Sequence, residues 1–327
     1  MNRVNILLHN HGPLRQAGAA LEPLVNYFWR TLASLGFAVT VTADKLEPAA
    51  VNLYFEYFLD ERLLHKLFAI KRNYGTRIGV VATELIVDND IPYLREGNLH
   101  VDPGTGLAAG QADVVQASKL RVKNLLAHAA SFDFTWSLLD RTHALMRSLN
   151  PNSYLFPIGY LPPLRPVAAV PKDIDVLFFG ALTPRRAAVI DEIRAAKLNV
   201  VCVGRNTEIG YVPEFALDSF IDRAKMVLNL TFADPRAGGG DQQFASGGRV
   251  PSALARGALV VSEAIAQDNY YAPFIVSAAP SDLAARCAAL AGGGKHAEVA
   301  QGNFARFKEA MRAEVVDAPA TEILRRL

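Results

Sequence analysis

Arg185 and Arg186 occupy the first turn of a predicted helix, where basic side chains are unusual. The helix macrodipole is positive at that end, so each arginine is disfavoured by about 0.3–1 kcal/mol unless an anion lies nearby. A bound phosphate group would reverse that sign, because backbone N–H groups at a helix start bind anions. The two residues are therefore either anion ligands or solvated surface charges.

The residues before these arginines predict the turn that presents them. An apolar run, 174–179, is typical of a parallel strand buried on both faces, and Gly180 ends it. Thr183 is suited to cap the following helix, and Pro184 to occupy its first position. A strand, a glycine turn and a helix start in this order form the usual anion site of doubly wound α/β folds.

A second glycine-rich stretch, TFADPRAGGGDQQFASGGR, follows a predicted strand that ends at Leu230. Its glycines let the backbone approach a ligand closely, and Arg236 and Arg249 can each bind a diphosphate through two parallel hydrogen bonds. Ligands bind at the carboxyl ends of strands in open α/β sheets, which is where this stretch begins. It is either a ligand-binding loop or a disordered segment.

The composition excludes several classes of protein. The chain has 327 residues, enough for two domains, and its 34 basic and 32 acidic residues predict no global attraction to nucleic acid or to anionic membranes. Two cysteines do not make a disulfide framework and favour a reducing compartment. No stretch reaches the roughly 20 apolar residues of a membrane span, and we expect a cytoplasmic protein.

Strand and helix patterns alternate along the chain, which predicts parallel sheets and an α/β fold. We expect a first domain over 1–160, a proline-rich linker over 161–171, a second domain over 172–302, and a C-terminal segment over 303–327, with a helix over 303–316, that could pack back on the first domain. In the first domain, residues 88–110 are expected to form a long loop, and 112–117 to form a strand.

Four segments of the second half resemble a bacterial glycosyltransferase-like family of GT-B architecture. They are YLFPIGYLPPL, DIDVLFFGALTPRR, RAKMVLNL and RVPSALARGALVVSE, in the family's order. Upstream, GVVATEL and FDFTWSLLDRTHALM are also similar to it. The resemblance implies two Rossmann-like, doubly wound domains facing a cleft. It further implies that the second domain holds a nucleoside diphosphate sugar as donor, and that the first holds a hydroxyl acceptor.

The resemblance also assigns residues of the second domain to the donor. It implies that Gly180 faces the donor diphosphate and that Arg249 holds the family's arginine before the next helix. Lys225 would begin the strand before the glycine-rich loop, and Glu263 would accept hydrogen bonds from ribose or sugar hydroxyls. A strand-edge lysine and a helix-capping carboxylate are the structural alternatives for the last two residues.

One departure from the family bears on the reaction. Many retaining GT-B enzymes carry a pair of glutamates before the helix that corresponds to ALARG, and the matching positions here are Phe244 and Ser252. Because neither residue is acidic, we expect an inverting transfer. An inverting enzyme needs a general base for the acceptor hydroxyl and positive or dipolar groups for the leaving diphosphate.

The first domain must then supply the base. Glu84, which follows the predicted strand 77–82, is the first candidate. His9 and His11 follow the first strand, at the correct end of the sheet, and are either bases or surface histidines. Asp113 is a weaker candidate, because it falls near the start of its predicted strand rather than the end.

No cofactor or metal ion is expected besides the donor itself. Asp88 and Asp90 match the spacing of a carboxylate pair that binds a divalent ion on a diphosphate, but such triplets are frequent in loops. The acceptor is a glycan, a lipid-linked glycan, a protein or a small molecule, which places the protein in glycan or polysaccharide biosynthesis. A nucleotide-sugar epimerase of the same fold and a non-catalytic nucleotide- or glycan-binding module remain as alternatives.

Overall fold

The structure, a computed structural model, describes residues 3–8, 15–58, 61–91, 109–231, 248–265 and 269–327. The chain divides into two compact units. Unit 1 comprises Met1–Ile158 and Ala313–Leu327, and unit 2 comprises Gly159–Arg312. Among the helices of the described ranges, none has the length and apolarity that crossing a bilayer requires.

Unit 1 is built on a parallel sheet with the strand order β2-β1-β3-β4-β5-β6. Its elements before the crossing into unit 2 are β1 Arg3–Leu8, α1 Arg15–Ser34, β2 Ala38–Ala43, β3 Val51–Phe55, α2 Glu61–Tyr74, β4 Arg77–Ala82, α3 Ala109–His128, β5 Phe134–Ser137, α4 Asp140–Leu149 and β6 Ser153–Leu155. Successive residues of β1 pack into separate hydrophobic cores on the two faces of the sheet. Ile6 belongs to the core that contains Phe28 of α1, and Leu7 belongs to the core that contains Leu67 of α2. The sheet is therefore covered on both faces, which explains its nearly continuous apolar strands.

Two short C-terminal helices, α10 Ala313–Val316 and α11 Ala318–Arg326, also belong to unit 1. Ile323 packs in the same core as an aromatic group in which Phe28 stacks on Trp136 with ring centroids 5.7 Å apart. The indole Nε1 of Trp136 donates a hydrogen bond of 2.9 Å to the carbonyl of Ala320. The end of the chain is thus fixed by burial and by the hydrogen bond that a buried indole requires.

Unit 2 contains a second parallel sheet, with the strand order β11-β10-β9-β7-β8. Its elements are β7 Ile174–Phe179, α5 Pro184–Ala195, β8 Val200–Val203, α6 Glu214–Arg223, β9 Ala224–Asn229, α7 Arg249–Ala255, β10 Leu259–Glu263, β11 Val276–Ala278, α8 Leu283–Ala291 and α9 Lys295–Ala310. Helix α5 begins as the sequence predicts, with Pro184 first and the Thr183 hydroxyl accepting a 3.3 Å hydrogen bond from the Arg186 amide. The predicted α/β fold with two parallel sheets is confirmed.

Two element predictions are wrong. Residues 112–117 lie inside the helix α3 and not in a strand, because a short apolar run by itself does not distinguish a strand from a helix. Asp113 therefore has no strand position at all. The predicted final helix, 303–316, is divided between α9 and α10, and the break falls at Met311 and Arg312.

Residues 161–171 form no regular element but are tied to unit 2. Arg256, which follows α7, donates from Nε to Asp222 Oδ1 at 2.7 Å and from Nη1 to the carbonyl of Arg165 at 3.3 Å. Asp222 in turn accepts a hydrogen bond of 3.0 Å from the amide of Ala168. A buried ion pair between α6 and α7 thus holds this proline-rich segment in place.

Candidate active site

Polar and basic side chains meet at the carboxyl edge of the unit 2 sheet. Strands β7, β9 and β10 are neighbours in that sheet and end at Phe179, Asn229 and Glu263. Helices α5 and α7 begin with basic residues close to the same edge. The carboxyl edge of a doubly wound sheet is the place where such folds bind ligands.

Gly180 leaves room for a guanidinium group at this edge. Its φ of +132° is a conformation that L side chains rarely adopt, and a Cβ there would lie 2.6 Å from Nη2 of Arg249. The equivalent glycine after β8, Gly204, has φ +128°, and its Cβ would lie 2.5 Å from the carbonyl oxygen of Gly180. The backbone after β7 is therefore packed on both sides, which only glycine allows at these two positions.

Arg249 joins the ends of two strands. Its Nε donates to the carbonyl of Phe179 at 2.7 Å, and its Nη1 donates to Oδ1 of Asn229 at 3.0 Å. The guanidinium lies 5.0 Å from the ring centroid of Phe178. Burial, together with the like charge of Arg186, lowers the pKa of Arg249 to about 9. The protein thus holds this charge in an unfavourable environment that a bound anion would relieve.

Arg185 forms a buried ion pair with Glu263 at the end of β10. Its Nη1 lies 3.1 Å from Glu263 Oε2 and also donates to the carbonyl of Thr231 at 3.0 Å. The carboxylate further accepts hydrogen bonds from the amide of Thr231 at 2.8 Å and from its hydroxyl at 3.0 Å. Because Glu263 is fully buried, its oxygens serve this network.

Arg186 donates its hydrogen bonds to main-chain oxygens. Nε contacts the carbonyl of Thr231 at 3.0 Å, Nη1 that of Ala181 at 2.7 Å and Nη2 that of Leu230 at 2.9 Å. This arginine therefore connects the turn after β7 to the end of β9. It positions the site and adds positive charge, and it is only 7% exposed.

Together these residues make an electropositive edge. Three guanidinium groups, those of Arg185, Arg186 and Arg249, lie here with the carboxylate of Glu263. Backbone N–H groups of the capped α5 turn add partial positive charge. These three guanidinium groups and the start of α5 form a site suited to an anion with two or more charges, such as a diphosphate.

The carboxyl edge of the unit 1 sheet is acidic instead. Glu84 follows β4 and forms an ion pair with Arg121 of α3, both side chains being largely buried. The guanidinium of Arg121 lies 4.2 Å from the ring centroid of Tyr57. Thr142 of α4 donates from its hydroxyl to the carbonyl of Glu84 at 2.7 Å. The side chain of Glu84 is 18% exposed, so it is reachable at this edge.

A second carboxylate, Glu56, lies beside Glu84 and follows β3 directly. It is fully buried and accepts hydrogen bonds from the Thr83 amide at 2.7 Å and the Thr83 hydroxyl at 2.8 Å. Burial raises the pKa of Glu56 to about 7, against the opposing effect of Arg121 and with that of Glu84. This edge therefore contains two glutamates and an arginine. One of the two carboxyl groups, that of Glu56, has a pKa close to neutral pH.

Comparison with solved structures identifies the architecture. AviGT4, a glycosyltransferase involved in avilamycin A biosynthesis, aligns over 100% of this chain and 98% of its own with a TM-score of 0.57 at 14% identity. T4 phage BGT, solved with UDP and Mn²⁺, aligns over 98% and 99% with a TM-score of 0.56 at 12% identity. The chain has the GT-B fold.

A further GT-B match is partial. TarM aligns over 86% of this chain and 55% of its own, with a TM-score of 0.52 at 10% identity, so the chain spans about half the length of TarM. No protein-family model matches the sequence, and no curated protein matches it in a sequence search. The GT-B resemblance of the sequence is thus confirmed by fold, at identities too low to carry a residue's role from one chain to another.

Within this GT-B fold, the structure brings five of the predicted donor residues together. They are Gly180, Arg185, Arg186, Arg249 and Glu263. It does not bring Lys225 to them. Lys225 is the second residue of β9, at the opposite edge of the sheet, where its Nζ lies 2.6 Å from Asp175 near the start of β7. The correction follows from strand direction, since a residue that begins a parallel strand lies at the amino edge.

Three predicted residues, His9, His11 and Arg236, lie outside the described residues. The predicted carboxylate pair of Asp88 and Asp90 falls in a tight turn. Asp88 and Asn89 have φ of 53° and 63°, Val87 and Asp90 pair across the turn, and Asp90 accepts a 2.8 Å hydrogen bond from the Ile91 amide. In the described ranges no group of three or more His, Cys, Asp or Glu side chains converges.

Sequence reasoning missed Glu56, Arg121 and Thr231. Glu56 had a readable signal, because it is a charged residue directly after β3, much as Glu84 follows β4 after one intervening residue. Arg121 had none, since it lies in the middle of a helix and its partner Glu84 is 37 residues away in the sequence. Thr231 contributes its main chain to both arginines of α5, which no residue type foretells.

Proposed function

We propose that this protein is a glycosyltransferase that moves a sugar from a nucleoside diphosphate sugar to a hydroxyl acceptor. The observation that carries the proposal is the buried arginine cluster beside Gly180 at the carboxyl edge of the unit 2 sheet. Burial and the like charge of Arg186 lower the pKa of Arg249, so the charged form of Arg249 is unfavourable in the ligand-free protein. A diphosphate bound there offsets that cost.

In the proposed reaction, the acceptor oxygen forms a bond to the anomeric carbon while the bond from that carbon to the diphosphate oxygen breaks. The nucleoside diphosphate leaves with the bonding electron pair, and its charge develops beside Arg249 and the start of α5. Positive groups fixed in advance at that position stabilise the transition state more than the ground state. Arg185 and Arg186 hold the strand ends and add to the positive potential.

Glu84 is the proposed general base on the acceptor side. It takes the proton of the acceptor hydroxyl, and its partial exposure at the sheet edge makes that contact possible. Its partner Arg121 must shift when Glu84 becomes neutral. This assignment agrees with an inverting transfer, and we propose that no metal ion is required, although BGT was solved with Mn²⁺.

The binding half of the proposal is tested by thermal denaturation with UDP, GDP, ADP and dTDP. At a ligand concentration of 100 times Kd, the free energy of unfolding rises by about 2.7 kcal/mol, which raises the melting temperature. We expect this rise in the wild type and its loss in Arg249→Ala. Arg256→Ala is the matched control, because it removes a buried arginine at the other end of α7, at Asp222, away from the cluster.

The transfer half is tested by incubating the nucleotide sugar that binds most tightly with and without hydroxyl acceptors. A transferase releases the nucleoside diphosphate and, without an acceptor, hydrolyses its donor slowly. Conversion of the donor into a stereoisomer would instead identify an epimerase. Absence of a melting-temperature rise with all four nucleotides would reject the donor site, and binding without turnover would favour a non-catalytic module.

A further inference from the structure

Glu56 is a buried carboxyl group that the proposed reaction does not use directly. It follows β3 directly, and Thr83 follows the neighbouring strand β4 in the same way. The two carboxylate oxygens accept hydrogen bonds from Thr83, its amide contacting one oxygen at 2.7 Å and its hydroxyl both, at 2.8 and 2.9 Å. The side chain of Glu56 thus connects the carboxyl end of β3 to the carboxyl end of β4 through hydrogen bonds.

This contact sets the course of the chain just before Glu84. On the other side of that residue, the Thr142 hydroxyl donates to the carbonyl of Glu84 at 2.7 Å and accepts from the amide of Ile86 at 2.9 Å. The backbone of Glu84 is therefore held from β3 on one side and from α4 on the other. A carboxylate on a turn would otherwise sample several orientations.

Among the described residues, the charged groups that face Glu56 are Arg121 of α3 and Glu84. Arg121 favours the ionised form of Glu56, whereas burial and the neighbouring Glu84 disfavour it. Arg121 forms its ion pair with Glu84. A proton on Glu56 thus leaves Arg121 to Glu84, and loss of that proton creates a second carboxylate that attracts the same guanidinium.

We propose that Glu56 is a positioning residue for Glu84: it fixes the Thr83 turn through two hydrogen bonds, and its charge determines how firmly Arg121 is held by Glu84. This inference rests on the proposed function, in which Glu84 accepts the proton of the acceptor hydroxyl. Glu56 itself is fully buried and touches no substrate. Its two effects, on geometry and on charge, are separable by substitution.

Glu56→Met removes both effects, and Glu56→Gln removes the charge while keeping an acceptor for the Thr83 amide. Asp133→Asn is the matched control, because Asp133 accepts a 2.7 Å hydrogen bond from the amide of Ile78 at the opposite end of β4. The reaction measured is hydrolysis of the nucleotide sugar that gives the largest rise in melting temperature. Water then serves as the acceptor, so no acceptor needs to be known.

For Glu56→Met we expect kcat of hydrolysis to fall about 10- to 100-fold with an unchanged KM for the donor, since misplacing a reacting group by about 1 Å has an effect of that size. Glu56→Gln is expected to recover most of this loss but to lose the inflection of the kcat–pH profile near neutral pH. Asp133→Asn should keep both. A wild-type kcat in Glu56→Met would overturn the proposal, and so would an unchanged pH profile in Glu56→Gln.

Amide hydrogen exchange at Thr83 gives a second readout that does not depend on turnover. We expect exchange at least tenfold faster in Glu56→Met than in the wild type, and unchanged protection in Glu56→Gln and Asp133→Asn. Unchanged protection in Glu56→Met rejects the positioning role. A wild-type protein that neither binds nor hydrolyses nucleotide sugars rejects the proposed function instead, while Thr83 exchange still decides whether Glu56 holds the turn. If Glu56→Met does not fold, Thr83→Val replaces it. We then expect kcat to fall as well, but by a smaller factor than for Glu56→Met.

Discussion

The carboxyl edges of the two sheets have the same architecture and opposite charge. In unit 2, Arg185, Arg186 and Arg249 share the edge with the carboxylate of Glu263. In unit 1, Glu56 and Glu84 share it with the guanidinium of Arg121. Each cluster contains an ion pair, Arg185 with Glu263 in unit 2 and Arg121 with Glu84 in unit 1. The difference lies in which charge is in excess.

This comparison explains what each edge is suited to do. Burial, with the like charge of Arg186, lowers the pKa of Arg249, whereas burial raises the pKa of Glu56, with the like charge of Glu84 and against the larger effect of Arg121. The first environment is suited to a diphosphate, and the second is suited to a group that keeps a proton. A parallel sheet supplies the position, and the side chains after each strand decide the chemistry.

The largest expected effect comes from removing the counter-charge of each cluster. Glu263→Gln leaves Arg185 without its buried carboxylate, and we expect the free energy of unfolding to fall by about 3–5 kcal/mol. Arg121→Met removes the partner of Glu84 and should cost less, because Glu84 is partly exposed. Urea denaturation measures both losses.

The same pair of variants sharpens the comparison when a ligand is added. A nucleoside diphosphate should restore part of the stability of Glu263→Gln, because the bound anion replaces the missing carboxylate. It should not rescue Arg121→Met beyond the stabilisation of the wild type. Equal rescue of both variants would contradict the assignment of opposite roles to the two edges.

The next effect concerns the close approach of Gly180 and Gly204 in unit 2. Gly204→Ala should lower stability by roughly 2–4 kcal/mol, from backbone strain and from contact with the Gly180 carbonyl. Gly210→Ala is the control, since its φ is +72° but a Cβ there meets nothing within 4 Å. We expect that variant to lose roughly 1–2 kcal/mol. Thermal denaturation separates them, and similar losses would show that the approach to Gly180 is unimportant.

The third effect is a pH dependence that belongs to unit 1. In the folded protein the pKa of Glu56 is raised to about 7. The contribution of its protonation to the free energy of unfolding is therefore fully present below the unfolded pKa and is lost as the pH rises through 7. Glu56→Gln removes this loss. Relative to the wild type, the variant should therefore gain on the order of 1–3 kcal/mol between pH 5 and pH 8.

Urea denaturation of both proteins at several pH values measures this gain. Asp218 of α6, whose pKa burial raises to about 6, contributes a dependence of the same sign to both proteins. It cancels in the difference between them. A difference that does not change with pH would show that Glu56 ionises at its ordinary pKa.

The smallest effect is expected at the amino edge of the unit 2 sheet. Lys225→Met removes the ion pair with Asp175, and the change in stability should stay within about 1 kcal/mol. The rise in melting temperature produced by a nucleoside diphosphate should equal that of the wild type. A reduced rise would return Lys225 to the donor site and break the distinction between the two edges of this sheet.

Local signals in the sequence predicted the turn after β7 in detail. A buried run, a glycine, a capping threonine and a first-turn proline act over a few residues, and Gly180, Thr183 and Pro184 have the roles that their types favour. The alternation of elements likewise predicted two parallel sheets. The strand expected over 112–117 was wrong because a short apolar run is compatible with a strand or a helix, and these residues lie inside α3.

The sequence by itself determined the α/β class, the strand ends at which polar residues collect, and the positive helix start of α5. Only the tertiary structure decided that Arg185 pairs with Glu263, 78 residues away, and that Arg186 spans to the main chain after β9. It also placed Arg121 against Glu84. The physical reason is that caps and turns depend on short-range geometry, whereas side-chain partners depend on which strands become neighbours. The strand order follows from packing of the whole sheet. In this sheet β9 lies between β7 and β10, although no local turn connects it to either strand.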